Sequence, residues 1–205
     1  MMKKDSSETV SERVKIVFSV KEILSVVLKL TVVVAVVSMM LAVVNTLTRD
    51  RIAVNERKKT EEALSGLFPA SEFDEIDSIP ASTELGISVE SVYTAGKNGV
   101  QEGCCVELYV SGFSTEEIHL IIGVAAEEYT VVGVEVISSS ETPGVGAAVL
   151  AKNGDYLKKF ENTSKLTISD IDTVSGATIT SEAVVSSVRT AVNIAAVVLG
   201  GDNNG

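Results

Sequence analysis

The feature that most restricts how this chain can fold is Leu30 to Thr48, nineteen consecutive residues without a charge, dominated by Val, Leu, Ala and Met. As a helix it spans roughly 28 Å at ~1.5 Å per residue, matching a hydrocarbon core of about 30 Å. Ile23 to Leu28 extends the apolar run beyond Lys29, whose stem is long enough to carry its ammonium to the interface. A secretory signal has a shorter apolar region leading to a small-residue cleavage site. Leu41-Ala42-Val43-Val44-Asn45 offers no such site, and charged, helix-compatible sequence continues from Arg49 into Lys59. The expectation is an uncleaved transmembrane helix over 30–48; a buried helix of a soluble protein is the alternative.

That anchor divides the rest of the chain. Residues 1–29 read as a polar start and a cytoplasmic or interfacial segment, with Val14, Ile16, Val17, Phe18 and Val20 set among Lys15, Lys21 and Glu22. Residues 49–84 read as a helical stalk, free of breakers until Gly66 and Pro69, followed by a linker rich in acidic residues around Pro80. Residues 85–199 read as the one folded domain, and 200–205 as a tail. Within the domain, Ile87–Ala95, Glu102–Val110, Ile118–Val124 and Tyr129–Ser138 are rich in Val, Ile and Tyr. The breaks between them are spaced as in an antiparallel meander, which predicts an α+β fold with flanking helices. Gly154 to Phe160 predicts a short helix, and Lys165 to Ser169 one more strand.

Charge excludes some functions. The chain carries 17 Lys and Arg against 28 Asp and Glu, a net charge of −11. Past Thr60 the basic residues thin to Lys97, Lys152, Lys158, Lys159, Lys165 and Arg189, too few and too scattered for nucleic acid. Basic residues flank the apolar run on both sides, so local charge does not orient it. The single histidine, His119, sits in an apolar strand pattern and reads as a structural imidazole. Cys104 and Cys105 are adjacent, a spacing that fits neither a redox pair nor zinc; on a strand they point to opposite faces, one as a buried apolar side chain and one as a partner-facing thiol. No hydrolytic set and no metal cage stands out.

The chemistry concentrates near the end of the chain, at Asp172-Thr173-Val174-Ser175-Gly176-Ala177-Thr178-Ile179-Thr180-Ser181. A small-residue turn and several hydroxyls precede a run in which Val185, Val188, Val192, Ala195 and Leu199 repeat at helical spacing. This predicts a final helix with Thr180 or Ser181 as N-cap, its first free amides and positive dipole end facing any anion near Ser175 to Thr180. By itself Ser-Gly-Ala-Thr is also an ordinary capped turn.

The fuller string resembles the flavinylation signature of a family that includes the G subunit of the Rnf electron-transport complex and the C subunit of the sodium-pumping NADH:quinone reductase. Glu141-Thr142-Pro143-Gly144-Val145-Gly146 matches a second family stretch, Glu-Thr-Pro-Gly-Leu-Gly, with Val145 in place of Leu. The resemblance runs from about Gly112 to Arg189 and includes the early membrane helix. It implies an FMN-binding domain in which Thr178 carries FMN through a phosphoester, Asp172 belongs to the sequence read by a flavin transferase, and Ser175, Gly176, Ala177 and Thr180 surround the phosphate. It implies that the loop with Glu141, Thr142 and Gly144 packs against the isoalloxazine ring. Gly112-Phe113 stands where the family tends to have Gly-Tyr, so a phenol hydroxyl is missing here.

It implies further a single-pass protein of the cell (inner) membrane, its flavin domain outside the cytoplasm, working as an electron carrier among other membrane and redox subunits of an ion-translocating oxidoreductase. The short length favours the Rnf protein over its quinone-reductase counterpart. An assembly or binding module without flavin, and a family-like domain that has lost it, are the alternatives.

Overall fold

The computed structural model describes residues 20–76, 86–152 and 154–200. The expectations for 1–19, for 77–85 including Pro80, and for the 201–205 tail lie outside the described residues. The described chain divides into two compact units, one ending at Ile52 and one beginning at Ala53.

In the first unit, the helix α1, Val20–Leu67, begins. Its side chains from Ile23 to Leu47 are exposed on every face: Leu30, Val34 and Leu41 show 61%, 62% and 66% of their surface. A helix apolar all round has no core of its own to bury against, and its length and composition suffice to cross a membrane. Thr31, Thr46 and Thr48 turn their hydroxyls back onto carbonyls of their own helix, to Val27, Ala42 and Val44 at 2.9 Å each, which removes their polarity from the surroundings.

The second unit is built on a five-stranded antiparallel sheet in sequential order: β1 (Glu72–Glu75), β2 (Ile87–Lys97), β3 (Val100–Ser111), β4 (Glu117–Ala125) and β5 (Val131–Ser138). The four strands predicted from 87 onward are present. Glu72–Glu75, read from sequence as linker, pairs with Tyr93–Gly96 as an edge strand. Four residues rich in acidic side chains carry no hydrophobic signal; only pairing to β2 makes them a strand.

Alternation along β3 and β4 assigns the two faces. Cys104, Val106, Leu108 and Val110, with Ile118, Leu120, Ile122 and Val124, point to one face. The last helix, α4 (Thr178–Gly200), covers it with Val184, Val188, Ala191, Val192 and Ala195, so its periodicity records burial against a sheet. Two short helices, α2 (Gly146–Val149) and α3 (Asp155–Lys158), close the margin of this core with Val149, Tyr156, Leu157 and Phe160. The strand predicted at Lys165–Ser169 is absent: Thr167 takes a helical conformation and Ile168–Asp170 forms one 3-10 turn, with Ile168 fully buried. One buried apolar side chain in that stretch satisfies the core without a sheet edge to pair with.

Cys105, Ile121 and Ile137 occupy the other face beneath Ala63, Leu64, Leu67 and Phe68. The end of the segment read as a stalk is therefore the second layer of this unit. Both cysteines are buried, one in each layer, so the expected partner-facing thiol is a core side chain; burial pushes the Cys104 thiol up to about 12 and raises Cys105 as well.

Glycines on this face make room for Leu67 and Phe68. A Cβ on Gly103 would lie 2.3 Å from the Val124 carbonyl oxygen and 2.6 Å from Phe68 Cζ. The carbonyl belongs to the neighbouring strand and cannot step aside. Gly103→Ala is expected to cost about 1–3 kcal/mol or more, through displaced backbone, read as a lowered denaturant midpoint. An unchanged midpoint would show that β3 and β4 do not approach as described.

Candidate functional site

Three segments meet at one end of the sheet: the β3–β4 loop at Gly112 to Ser114, the loop leaving β5 at Glu141 to Gly146, and the start of α4. Together they line a cavity of about 420 Å³, with Phe113, Glu141, Thr142, Val145, Gly146 and residues 176–180 in its wall.

The turn before α4 is made by glycine. Gly176 has φ +84°, a region that side chains with a Cβ avoid, and the Ala177 amide donates to the Val174 carbonyl at 2.9 Å across it. This early turn starts the helix at Thr178, ahead of the expected cap. The Ser181 amide donates to the Ala177 carbonyl at 2.9 Å, which makes Ala177 the capping position. Ser181 still serves the turn from inside the helix: its hydroxyl accepts the Val174 amide at 3.1 Å and donates to the Ala177 carbonyl at 2.9 Å. Thr178, Ile179 and Thr180 are consequently the first three residues of a 23-residue helix, where amides have no intrahelical acceptor.

The two threonines differ in surroundings. Thr178 is exposed at the cavity wall. Thr180 is 1% exposed and its hydroxyl donates to Glu141 Oε2 at 2.9 Å. The expected gift of the Thr180 hydroxyl to a phosphate does not fit this geometry, because its proton is already committed. Glu141, 5% exposed, accepts at its other oxygen from the Ser114 amide at 3.0 Å. Gly112 and Gly146 leave the space this carboxylate fills: a Cβ on either would lie 2.2 Å or 2.3 Å from one of its oxygens. Glu141 therefore ties all three segments together.

Of the residues expected at the site, Glu141, Thr142, Gly176, Ala177, Thr178 and Thr180 line the cavity. Ser175 and Gly144 lie outside its wall; Gly144, at φ +81°, shapes the loop. Asp172 is exposed ahead of the turn. Val145 and Gly146 belong to the loop expected against the ring, whereas sequence reading did not select Ile179 or the ring of Phe113 as wall. An apolar residue at a loop tip looks no different in sequence from one that goes into the core.

Residues 112–193 match the model of the FMN-binding domain family. These residues form an FMN-binding domain. The match takes in every wall residue of the cavity, from Phe113 to Thr180. Over 178 residues the chain is 28% identical to the G subunit of the ion-translocating oxidoreductase complex of Methanosarcina acetivorans, covering 84% of this chain and 94% of that protein. The corresponding protein of Vibrio vulnificus is 28% identical over 169 residues, 75% of this chain and 80% of that protein. The G subunit of the Na+-translocating ferredoxin:NAD+ oxidoreductase complex of Acetobacterium woodii is 27% identical over 182 residues, 80% of this chain and 87% of that protein.

The FMN-binding domain supplies a donor set suited to that nucleotide. Free amides of the first turn of α4 point where an anion is favoured, and the rest of the wall is mostly apolar with an exposed aromatic ring, as a flat heterocycle requires.

On the opposite sheet face, His119 is a structural imidazole. It is 3% exposed, its Nε2 lies 2.7 Å from Glu107 Oε1, and its ring stacks on Tyr109 with centroids 4.3 Å apart. Among the described residues no group of three or more acidic, histidine or cysteine side chains is arranged to hold a metal ion.

Proposed function

We propose that this chain is a membrane-anchored electron-carrier subunit of an Rnf-type, ion-translocating ferredoxin:NAD oxidoreductase, holding FMN as a phosphoester on Thr178. The observation that carries the reading is the contrast between Thr178, exposed at the first position of α4 beside the cavity, and Thr180, buried and committed to Glu141. The FMN-binding domain match and relatives that are subunits of oxidoreductase complexes support it.

Attachment balances as a phosphoryl transfer. The Thr178 Oγ–phosphorus bond forms as a flavin transferase breaks the diphosphate of flavin adenine dinucleotide, AMP departs with the bridging oxygen, and the hydroxyl proton leaves to a base of that enzyme. The first-turn amides of α4 would hold the phosphate oxygens, and Gly176 would let the turn approach them without a side chain in the way. The Glu141 loop, with Thr142 and Val145, closes over the other side. Bound FMN supplies the ability to accept and release one or two electrons; the protein holds it in place and shields part of it from water.

The same reading makes 30–48 the membrane span and puts the flavin-bearing part, 85–199 together with the end of α1 and the edge strand Glu72–Glu75 that pack with it, on the extracytoplasmic side among the other subunits of the complex. A covalent tether suits that location, where a dissociated cofactor is lost. The C subunit of a quinone reductase is the rival assignment.

Coexpression of the full chain with a flavin transferase tests the proposal. The expected result is a yellow band whose fluorescence survives denaturing electrophoresis, and a tryptic peptide carrying the FMN mass on Thr178. A colourless band from the coexpressed full chain would overturn it in favour of an assembly module without flavin.

A further inference from the structure

We infer that Phe113 covers one face of the flavin ring, and that the buried carboxylate of Glu141 is the positioning group that holds Phe113 at a fixed place relative to the attachment hydroxyl. This rests on attachment at Thr178 and goes beyond it.

Phe113 is 69% exposed at the cavity wall, an unusual situation for a large aromatic side chain with an adjacent core available. Val145, 44% exposed, and Ile179, 51% exposed, line the same cavity from the other two segments. Apolar surfaces from three separate parts of the chain converge on one space, and a flat aromatic ligand there removes all of them from water. Of the polar side chains next to this space, Glu141 and Thr180 are spent on each other, and Glu141 also accepts from the Ser114 amide, which leaves the hydroxyls of Thr142 and Thr178. Stacking and dispersion therefore hold the ring more than side-chain hydrogen bonds do.

The backbone that carries the exposed ring is held on both sides. Gly112 sits against Glu141 Oε1, where a Cβ would come within 2.2 Å, and the Ser114 amide donates to that same oxygen at 3.0 Å. The second oxygen of the carboxylate takes the hydroxyl of Thr180, two residues past Thr178 on the same helical turn. One carboxylate thus sets the separation between the covering ring and the tether.

The identity of residue 113 gives a readout that a purely structural role would not move. Tyrosine and tryptophan in contact with a photoexcited flavin donate it an electron, which returns in the dark, so emission is quenched; phenylalanine is too hard to oxidise to do this. In the full chain, flavinylated by coexpression and held in detergent, the native protein is expected to emit with a nanosecond lifetime. Phe113→Tyr and Phe113→Trp are expected to lose emission severalfold and to gain a picosecond decay. Adding Glu141→Ala to Phe113→Trp is expected to restore part of the emission, whereas Glu141→Gln, which keeps an acceptor for the Ser114 amide, is not.

Tyrosine and tryptophan variants that carry a full complement of flavin with the native lifetime would overturn the contact. Emission unmoved by Glu141→Ala in the tryptophan background would overturn the positioning role. A native chain without covalent flavin would overturn the attachment reading and this inference with it, and electrophoresis distinguishes that failure from the other two. The tyrosine change adds one hydroxyl to an exposed ring, so it tests the contact even where the bulkier indole disturbs the loop.

Discussion

Thr178→Val is expected to give a folded protein that takes up no covalent flavin, whereas Thr180→Val is expected to keep its flavin and lose stability. Thr178 is exposed at the first helical position, and valine has nearly the same shape and branching. Its replacement removes a hydroxyl from an exposed side chain and is expected to shift stability by no more than about 0.5 kcal/mol. In-gel fluorescence should fall to background. Thr180 is 1% exposed, and valine there leaves Glu141 Oε2 without its donor, a loss of about 1–3 kcal/mol. Mass spectrometry of the two variants after coexpression decides the matter: flavin retained on Thr178→Val, or transferred to residue 180, would defeat the assignment.

A second large effect is expected on the sheet face away from the cavity. Glu107 is buried there and receives hydrogen bonds from Tyr93 at 3.0 Å and Thr60 at 3.2 Å, alongside its contact with His119 Nε2 at 2.7 Å. Thr60 lies on the part of α1 that covers this face, so the carboxylate joins two layers. Glu107→Ala strands the His119, Tyr93 and Thr60 groups together and is expected to cost about 1–3 kcal/mol or more, the usual loss when buried polar groups are left without a partner. Glu107→Gln keeps an acceptor and should cost less.

The pH dependence of that pair has a definite sign. Burial by itself would raise the Glu107 carboxyl, but hydrogen bonds from His119 and Tyr93, the adjacent His119 charge and the Thr60 hydroxyl outweigh it. The net result lies below the ordinary value of 4.5. A carboxyl held lower in the folded chain than in the unfolded one contributes stability above about pH 4.5 that is lost as the pH falls through the folded value. Urea midpoints between neutral and acid pH are expected to drop more steeply for the native chain than for Glu107→Gln. Parallel curves would mean that the carboxylate is not held in its charged form.

Much of this molecule is legible from composition and spacing. The uncharged run at Leu30 to Thr48 defines a helix long and apolar enough to cross a membrane, because nineteen residues without a charge leave only lipid or protein as surroundings. The helical repeat from Val184 to Leu199 marks an element buried on one face, since side chains that point the same way share the same fate, and the apolar run in Val131–Ser138 marks a strand whose side chains enter the layers on both sides of the sheet. The turn with Gly176 and the hydroxyls around it are equally local signals, and the family resemblance, not their spacing, picks Thr178 from among them.

What sequence could not decide is which groups share space across the chain. The resemblance places Glu141 in a loop beside the ring; its meeting with Ser114 and Thr180 depends on the β3–β4 loop, the loop leaving β5 and α4 arriving at one end of the sheet. The same holds for Glu107 and His119, separated by a strand turn, and for Glu72–Glu75, which become a strand only because β2 offers an edge. Local patterns fix what a segment buries. Hydrogen-bond partners are fixed by strand register and helix docking, and so the difference between two neighbouring threonines, Thr178 exposed and Thr180 buried against a carboxylate, belongs to the tertiary structure.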